Sequence, residues 1–223
     1  MKKVFLGVGH GGSDPGAGAT GFKEKDLNLA IALACRDELE RHGVNVLMSR
    51  TKDENDTLTE EIKECNAYNP DLCVDIHNNA GGGDGAEAFY YSGGGVSKEL
   101  AQNILANIII IGQNSRGIKT RLNSYGTDYY GFIRETKAPA VIVECAFVDN
   151  KKDMEIIDTA EELEEMGIAI AKGILLTLDI EWKPHAPKKL YKVQVGAFKE
   201  KANADKLLAE LKAKGYDGFI VVA

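Results

Sequence analysis

Five short apolar runs decide what this chain can fold into. They are VFLGV (Val4–Val8), VNVLM (Val44–Met48), LCVDI (Leu72–Ile76), EAFYY (Glu87–Tyr91) and AVIVE (Ala140–Glu144). Each has the length of a strand buried on both faces, and most are separated by stretches with the spacing of helices. Leu27, Ile31, Ala34 and Leu39 recur at helical intervals, which predicts a helix from about Glu24 to His42 that stops at Gly43. Thr57-x-x-Glu60 is a capping-box signature for a helix through Ala67, ended by Asn69-Pro70. Ser97 is the expected cap of a helix to about Ile111, and a last helix is expected from about Asp153 to Leu178. HNNAGGGDG reads as loop, and the polar stretch before Ala140 carries no clear element. The fold class that follows is α/β, a largely parallel central sheet flanked by helices.

With 223 residues the chain can bury one sizeable core and carry a small appendage. The body is expected over 1–178 and a linker over 179–189, where WKPHAPKK carries two prolines. In 190–223, LYKVQVGAF reads as a strand, Asn203–Lys214 as a helix ended by Gly215, and GFIVVA as a second strand. A β-α-β unit of this size is too small to bury a core alone, so it must dock on the body or on another copy of itself. The net charge of −7 is unevenly spread, for residues 188–223 hold eight Lys against two Asp and two Glu. An acidic body with a basic tail argues against nucleic-acid binding by the whole chain and suits a tail drawn to an anionic polymer.

No apolar run approaches the length of an integral membrane segment, and NIIIIG is far too short. The start, MKKVFLGVG, runs into His10 and Asp14 before any cleavable apolar core, so synthesis in the cytoplasm without a signal peptide is the expectation. Cys35, Cys65, Cys73 and Cys145 have no metal-ligand spacing and read as reduced, buried residues.

Directly after the first run, GVGHGG (Gly7–Gly12) spells G-x-G-x-x-G. A dinucleotide fold would need a helix to start at the third glycine, so that its free N–H groups meet a pyrophosphate. SDPGAGATG follows instead, and the second strand ends Met48-Ser49-Arg50 without the acid that holds a ribose. GQNSRGIKT (Gly112–Thr120) misses the phosphate-loop pattern by an inserted Ile118. Nucleotide binding is therefore set aside.

The ends of the runs carry the chemistry. His10 follows the first, His77 the third, and Glu144 closes the last. The carboxyl ends of parallel strands share one edge of a sheet, so these groups should converge there, with Glu24 returning over the same edge. Two imidazoles and one carboxylate make the ligand set of a catalytic zinc site, which keeps a coordination position open. A histidine after a strand can equally be a packed or surface residue, as His42 and His185 read, and spacing alone leaves both readings standing.

GHGGSDPGA (Gly9–Ala17), Glu24, DIHNNA (Asp75–Ala80), GAEAFYY (Gly85–Tyr91) and PAVIVECAFVDN (Pro139–Asn150) resemble, in order, the motifs of the zinc-dependent N-acetylmuramoyl-L-alanine amidases. The match is to the amidase type 3 group of bacterial autolysins and phage endolysins, and it covers about residues 2–178. That resemblance implies a twisted sheet flanked by helices, Zn2+ held by His10, Glu24 and His77, and Glu144 as the catalytic carboxylate. It also implies peptidoglycan as substrate, cut between N-acetylmuramic acid and L-alanine by zinc-activated water, in a cell wall reached through a phage holin or mother-cell lysis. Asn78, Asn79 and Arg134 are candidate substrate contacts, each equally readable as a loop hydrogen bond. The chain departs from the family where Gly7-Val8-Gly9 replaces an Asp-Pro, where Asp75 stands for a serine, and where Glu61 stands for an arginine and could alter substrate contacts. The tail resembles one half of a SPOR-type cell-wall-binding repeat, which implies a homodimer through 190–223. A carboxypeptidase on the same scaffold and a wall-binding protein with a dead site are the alternative readings.

Overall fold

The computed structural model describes residues 1–19, 21–185 and 193–222. In chain order the first elements are β1 (Lys3–Val8), β2 (Gly18–Ala19), β3 (Phe22–Lys23), α1 (Glu24–Arg41), β4 (Asn45–Met48), α2 (Leu58–Tyr68) and β5 (Leu72–Asn79). They are followed by β6 (Ala86–Tyr90), α3 (Val96–Ile110), β7 (Ser115–Lys119), α4 (Gly131–Glu135), β8 (Ala140–Phe147), α5 (Lys151–Met154), α6 (Ala160–Thr177) and α7 (Lys201–Ala213). Six strands form one mixed sheet in the order β4-β1-β5-β8-β6-β7. The first four are parallel, β6 runs antiparallel to β8, and β7 runs parallel to β6. The α/β architecture expected from the runs is the one that forms, with four of the six strands in one parallel set.

Side chains alternate across each strand, so one face of the sheet takes Val4, Leu6, Leu72, Val74, Ile76, Val141 and Val143. These pack with Leu27, Ile31 and Leu39 of α1, Ile104 of α3 and Ile170 and Ile174 of α6. The opposite face takes Phe5, Cys73, Phe89 and Ile142, under Ile62 and Cys65 of α2 and Phe132 and Ile133 of α4. This second face is the thinner one, and toward the carboxyl ends of the strands its apolar residues give way to Asp75, His77, Glu87 and Glu144.

Several local expectations are corrected. The residue before α3 is Gly95, at φ 66° and ψ −145°, a backbone that L residues avoid. Ser97 lies inside α3 and donates its hydroxyl to the Gly94 carbonyl, so it is not the cap. The polar stretch before Ala140 contains both β7 and α4. His77, Asn78 and Asn79 continue β5 and are not loop. The last helix is two: after α5 a turn leads to Thr159, whose capping box with Glu162 starts α6 afresh. The capping box at Thr57 and Glu60 forms as the spacing predicts.

By internal contacts the chain divides into Met1–Lys183 and Pro184–Ala223. Trp182 belongs to the first unit, its indole N–H donating to Glu38 and the Lys172 ammonium resting on its ring. In the second unit only α7 is regular among the described residues, so the expected β-α-β unit is not formed there. Among the described residues, 193–198 and 216–222 are not paired as strands. Residues 186–189 of the expected linker, 190–192 of the expected strand, and Ala223 lie outside the described residues.

Candidate metal centre and its relatives

The loop after β1 explains the glycines of GVGHGG. A Cβ on Gly9 would stand 2.2 Å from the His77 ring, and one on Gly7 would stand 2.1 Å from Glu61 Oε1 and 2.7 Å from Asp75 Oδ1. Glycine at both places makes room for side chains arriving from β5 and α2. The Gly9 carbonyl is then gripped by the Asn28 amide at 2.9 Å and by the buried Arg50 guanidinium at 3.2 Å. Arg50 also donates to the carbonyls of Val8 and Lys25, which ties β1, the loop and α1 together. His10 leaves this clamp with φ 63°, a left-handed conformation held by the paired backbone bonds between Gly11 and Asp14.

Glu24, the first residue of α1, sits between two imidazoles. His10 Nε2 lies 3.1 Å from its Oε2, and His77 Nδ1 lies 3.0 Å from its Oε1. One donor atom from each of the three residues falls within 4.8 Å of the others. The rings meet edge to face with centroids 5.1 Å apart. The Glu24 side chain is only 4% exposed, and its carboxylate accepts the N–H groups of Ala17 and Asn78. Burial pushes the Glu24 pKa up, yet its bonds to the two histidines and to Ala17 carry it well below the usual carboxylate range. The His10 imidazole is raised, chiefly by its bond to Glu24. For His77, burial works downward, but the charge and hydrogen bonds of Asp75 and Glu24 lift it well above its ordinary value.

This donor set fits zinc. Two neutral imidazoles and one carboxylate are the ligands of open catalytic zinc sites, and tetrahedral bonds of ~2.0–2.2 Å place donor atoms roughly 3.3–3.6 Å apart.

Glu144 is aligned with this cluster by strand register. It is the β8 partner of His77 on β5 and of Glu87 on β6, on the same face of the sheet. Its Oε2 is buried and makes no hydrogen bond. Burial, reinforced by the charges of Glu24, Asp75 and Glu87 and opposed by His77, pushes its pKa up to about 7. Glu87 is kept ionised despite its burial by Lys119 and by Arg116 at 2.7 Å, both from β7.

The polar candidates are placed as follows. Asn78 is 2% exposed and turns inward, its amide donating to Asn28 at 2.8 Å. Asn79 is half-buried and donates to Glu87 at 3.3 Å. Arg134 donates to the carbonyls of Asp128 and Tyr129 and pairs with Glu135, bracing the turn before α4. Glu61 is buried under the cluster, and burial beside Asp75 raises its pKa well above the carboxylate range.

Two residues had no role in the sequence reading. Asp14 accepts from His10 Nδ1 at 2.8 Å, and Asp75 Oδ2 stands 3.2 Å from His77 Nε2. Each ring thus has one nitrogen toward Glu24 and the other toward an aspartate. A signal existed in each case: Asp14 lies four residues after His10, and Asp75 interrupts an apolar strand two residues before His77.

Comparison with known proteins identifies the family. The pattern of the N-acetylmuramoyl-L-alanine amidase family matches residues 4–175, and that of the SPOR domain matches residues 187–223. The chain is 38% identical to N-acetylmuramoyl-L-alanine amidase CwlM of Bacillus licheniformis, over 99% of this chain and 85% of that protein. It is 36% identical to the sporulation-specific N-acetylmuramoyl-L-alanine amidase of Bacillus subtilis, over 100% of this chain and 85% of that one. Among solved structures, Cwp6 from Clostridium difficile superposes with a TM-score of 0.78 at 41% identity, covering 79% of this chain and 29% of that one. With its ordered motifs, its sheet and its His-Glu-His cluster around a buried glutamate all pointing one way, the chain belongs to the N-acetylmuramoyl-L-alanine amidases, enzymes that hydrolyse peptidoglycan.

Proposed function

We propose that residues 1–178 hydrolyse the amide between N-acetylmuramic acid and L-alanine with Zn2+ held by His10, Glu24 and His77. The observation that carries this reading is the buried Glu24 carboxylate bracketed by two imidazoles, with Glu144 one strand away. When bound, zinc polarises the scissile carbonyl and lowers the pKa of water toward ~7. The two histidines must shed their protons to ligate, so metal uptake releases protons and weakens as pH falls. Glu144 has a buried oxygen with no hydrogen-bond partner among the described residues, which suits it to take a proton from the attacking water and return it to the departing L-alanine nitrogen. Arg116 and Lys119 keep Glu87 occupied and leave Glu144 free for that transfer. Asn79, at the end of β5, and Arg134, beside the exposed Tyr129, are the proposed substrate contacts; Asn78 acts from beneath, holding β5 to α1.

The test is digestion of purified wall by protein loaded with zinc, with products read by mass spectrometry. New L-alanine amino termini and intact stem peptides are expected, together with loss of release after chelation and recovery on adding zinc. Cleavage between amino acids of the stem would favour a carboxypeptidase and overturn the assignment.

For residues 190–223 we propose wall binding through a homodimer. The support is a run of exposed apolar residues, Val193, Val195, Phe198, Phe219, Val221 and Val222, around a helix with no fully buried residue. A second tail would give those segments strand partners and cover these side chains. Light scattering of the full chain at micromolar concentration should give the mass of two chains, and the mass of one would end the idea.

A further inference from the structure

Among the acids around the cluster, Asp75 is the one whose position has a cost that nothing so far explains. It is 3% exposed in the middle of β5, its Oδ1 has no hydrogen-bond partner, and Glu61 Oε1, equally unpartnered, crowds the same space above Gly7. Burying a carboxylate beside another carboxyl group is expensive unless a cationic or N–H partner compensates. The partner present is His77 Nε2, at 3.2 Å. Asp75 and His77 are two apart on one strand, so their side chains rise from the same face and the contact is set by the pleat.

We propose that Asp75 is a positioning residue: it takes the Nε2–H of His77 and so leaves Nδ1, the nitrogen that faces Glu24, as the lone pair presented to the metal. The inference rests on the metal reading above. Glu61 and the bare Cα of Gly7 confine the Asp75 carboxyl, which leaves Oδ2 facing the ring. Asp14 stands in the matching place behind His10, but its side chain is 66% exposed. A hydrogen bond in a dry site is held more strongly than one in water, so the buried aspartate should matter more. A carboxylate behind a ligating histidine fixes its tautomer and ring direction, and losing one costs roughly 10–100-fold in metal affinity.

The experiment measures zinc affinity of the full chain by competition with a chromogenic chelator, and the His77 tautomer in the zinc-loaded protein by 15N NMR. Asp75→Ala should lower affinity by about 10–100-fold, and Asp14→Ala by less. Asp75→Asn keeps the shape and an acceptor but not the charge, so it should fold as the parent does and fall between the two. Parental zinc affinity in folded Asp75→Ala, or in Asp75→Asn, would overturn the proposal, as would metal found on Nε2 of His77. If the unmodified chain itself binds no zinc, the metal reading fails instead, and the two failures are told apart by that first titration.

Discussion

Glu144→Gln is expected to lower amide hydrolysis by about 10²–10⁴-fold, the usual worth of a positioned general base, while zinc affinity stays within a few-fold of the parent. The amide has nearly the shape of the acid, and Glu144 is outside the cluster of three donors, so the metal need not move. What is lost is the ability to accept a proton. The pH profile of the parent checks the same assignment from another side. Burial raises the Glu144 pKa to about 7, and only the ionised form is a base, so the rate should fall as pH drops through this region. A dication nearby favours the ionised form, which moves the midpoint below 7 in the loaded protein. Near-parental hydrolysis by Glu144→Gln, measured on the same wall preparation, would remove Glu144 from the mechanism.

The second large effect is expected at Glu24. Glu24→Gln should weaken zinc binding by more than the roughly 10–100-fold that an outer partner is worth, because a charged ligand is itself replaced. It should also destabilise the metal-free protein. The carboxylate accepts from Ala17 N–H, Asn78 N–H and both imidazoles, and an amide offers one acceptor oxygen for all of them. A buried group left without its partner costs about 1–3 kcal/mol, so a loss of about 2–4 kcal/mol is expected near neutral pH. The sign of the pH dependence follows from the lowered pKa of Glu24 in the fold. Its contribution is present above the ordinary carboxylate range and is lost as pH falls through the folded value, so parent and variant should converge in acid. Urea unfolding of the two chelated proteins at several pH values measures this. Equal midpoints at neutral pH would show that the Glu24 bonds contribute little to the fold.

Where sequence alone succeeds or stops has physical causes. The interior strands are legible because both faces are buried, so β1, β5 and β8 are apolar nearly throughout. β7 is hidden because SRGIK spends its two long side chains on Glu87 and shows neither an apolar run nor an alternation. α4 is a little over one turn, too short for a helical period to declare itself. The start of α3 is missed because a serine is the ordinary cap, whereas here a glycine takes a conformation that side chains exclude. His10, His77 and Glu144 stand out as ionisable groups at the ends of apolar runs, and the topology gathers those ends. Asp14 and Asp75 do not declare a role, because each acts through the direction in which a neighbouring ring points. The tail runs are apolar enough to read as strands, but a strand also requires a paired neighbour, and among the described residues 193–222 none is paired.

The register of β5 with β8 sets the spacing of the proposed ligand His77 and the proposed base Glu144. His77 and Glu144 are opposite one another, so their backbones stand one bonded-strand interval apart, ~4.8 Å, and the backbone ladder maintains it. Changes in loops outside these two strands, such as 80–85 or 120–130, leave that register in place, so the proposed proton transfer should tolerate them.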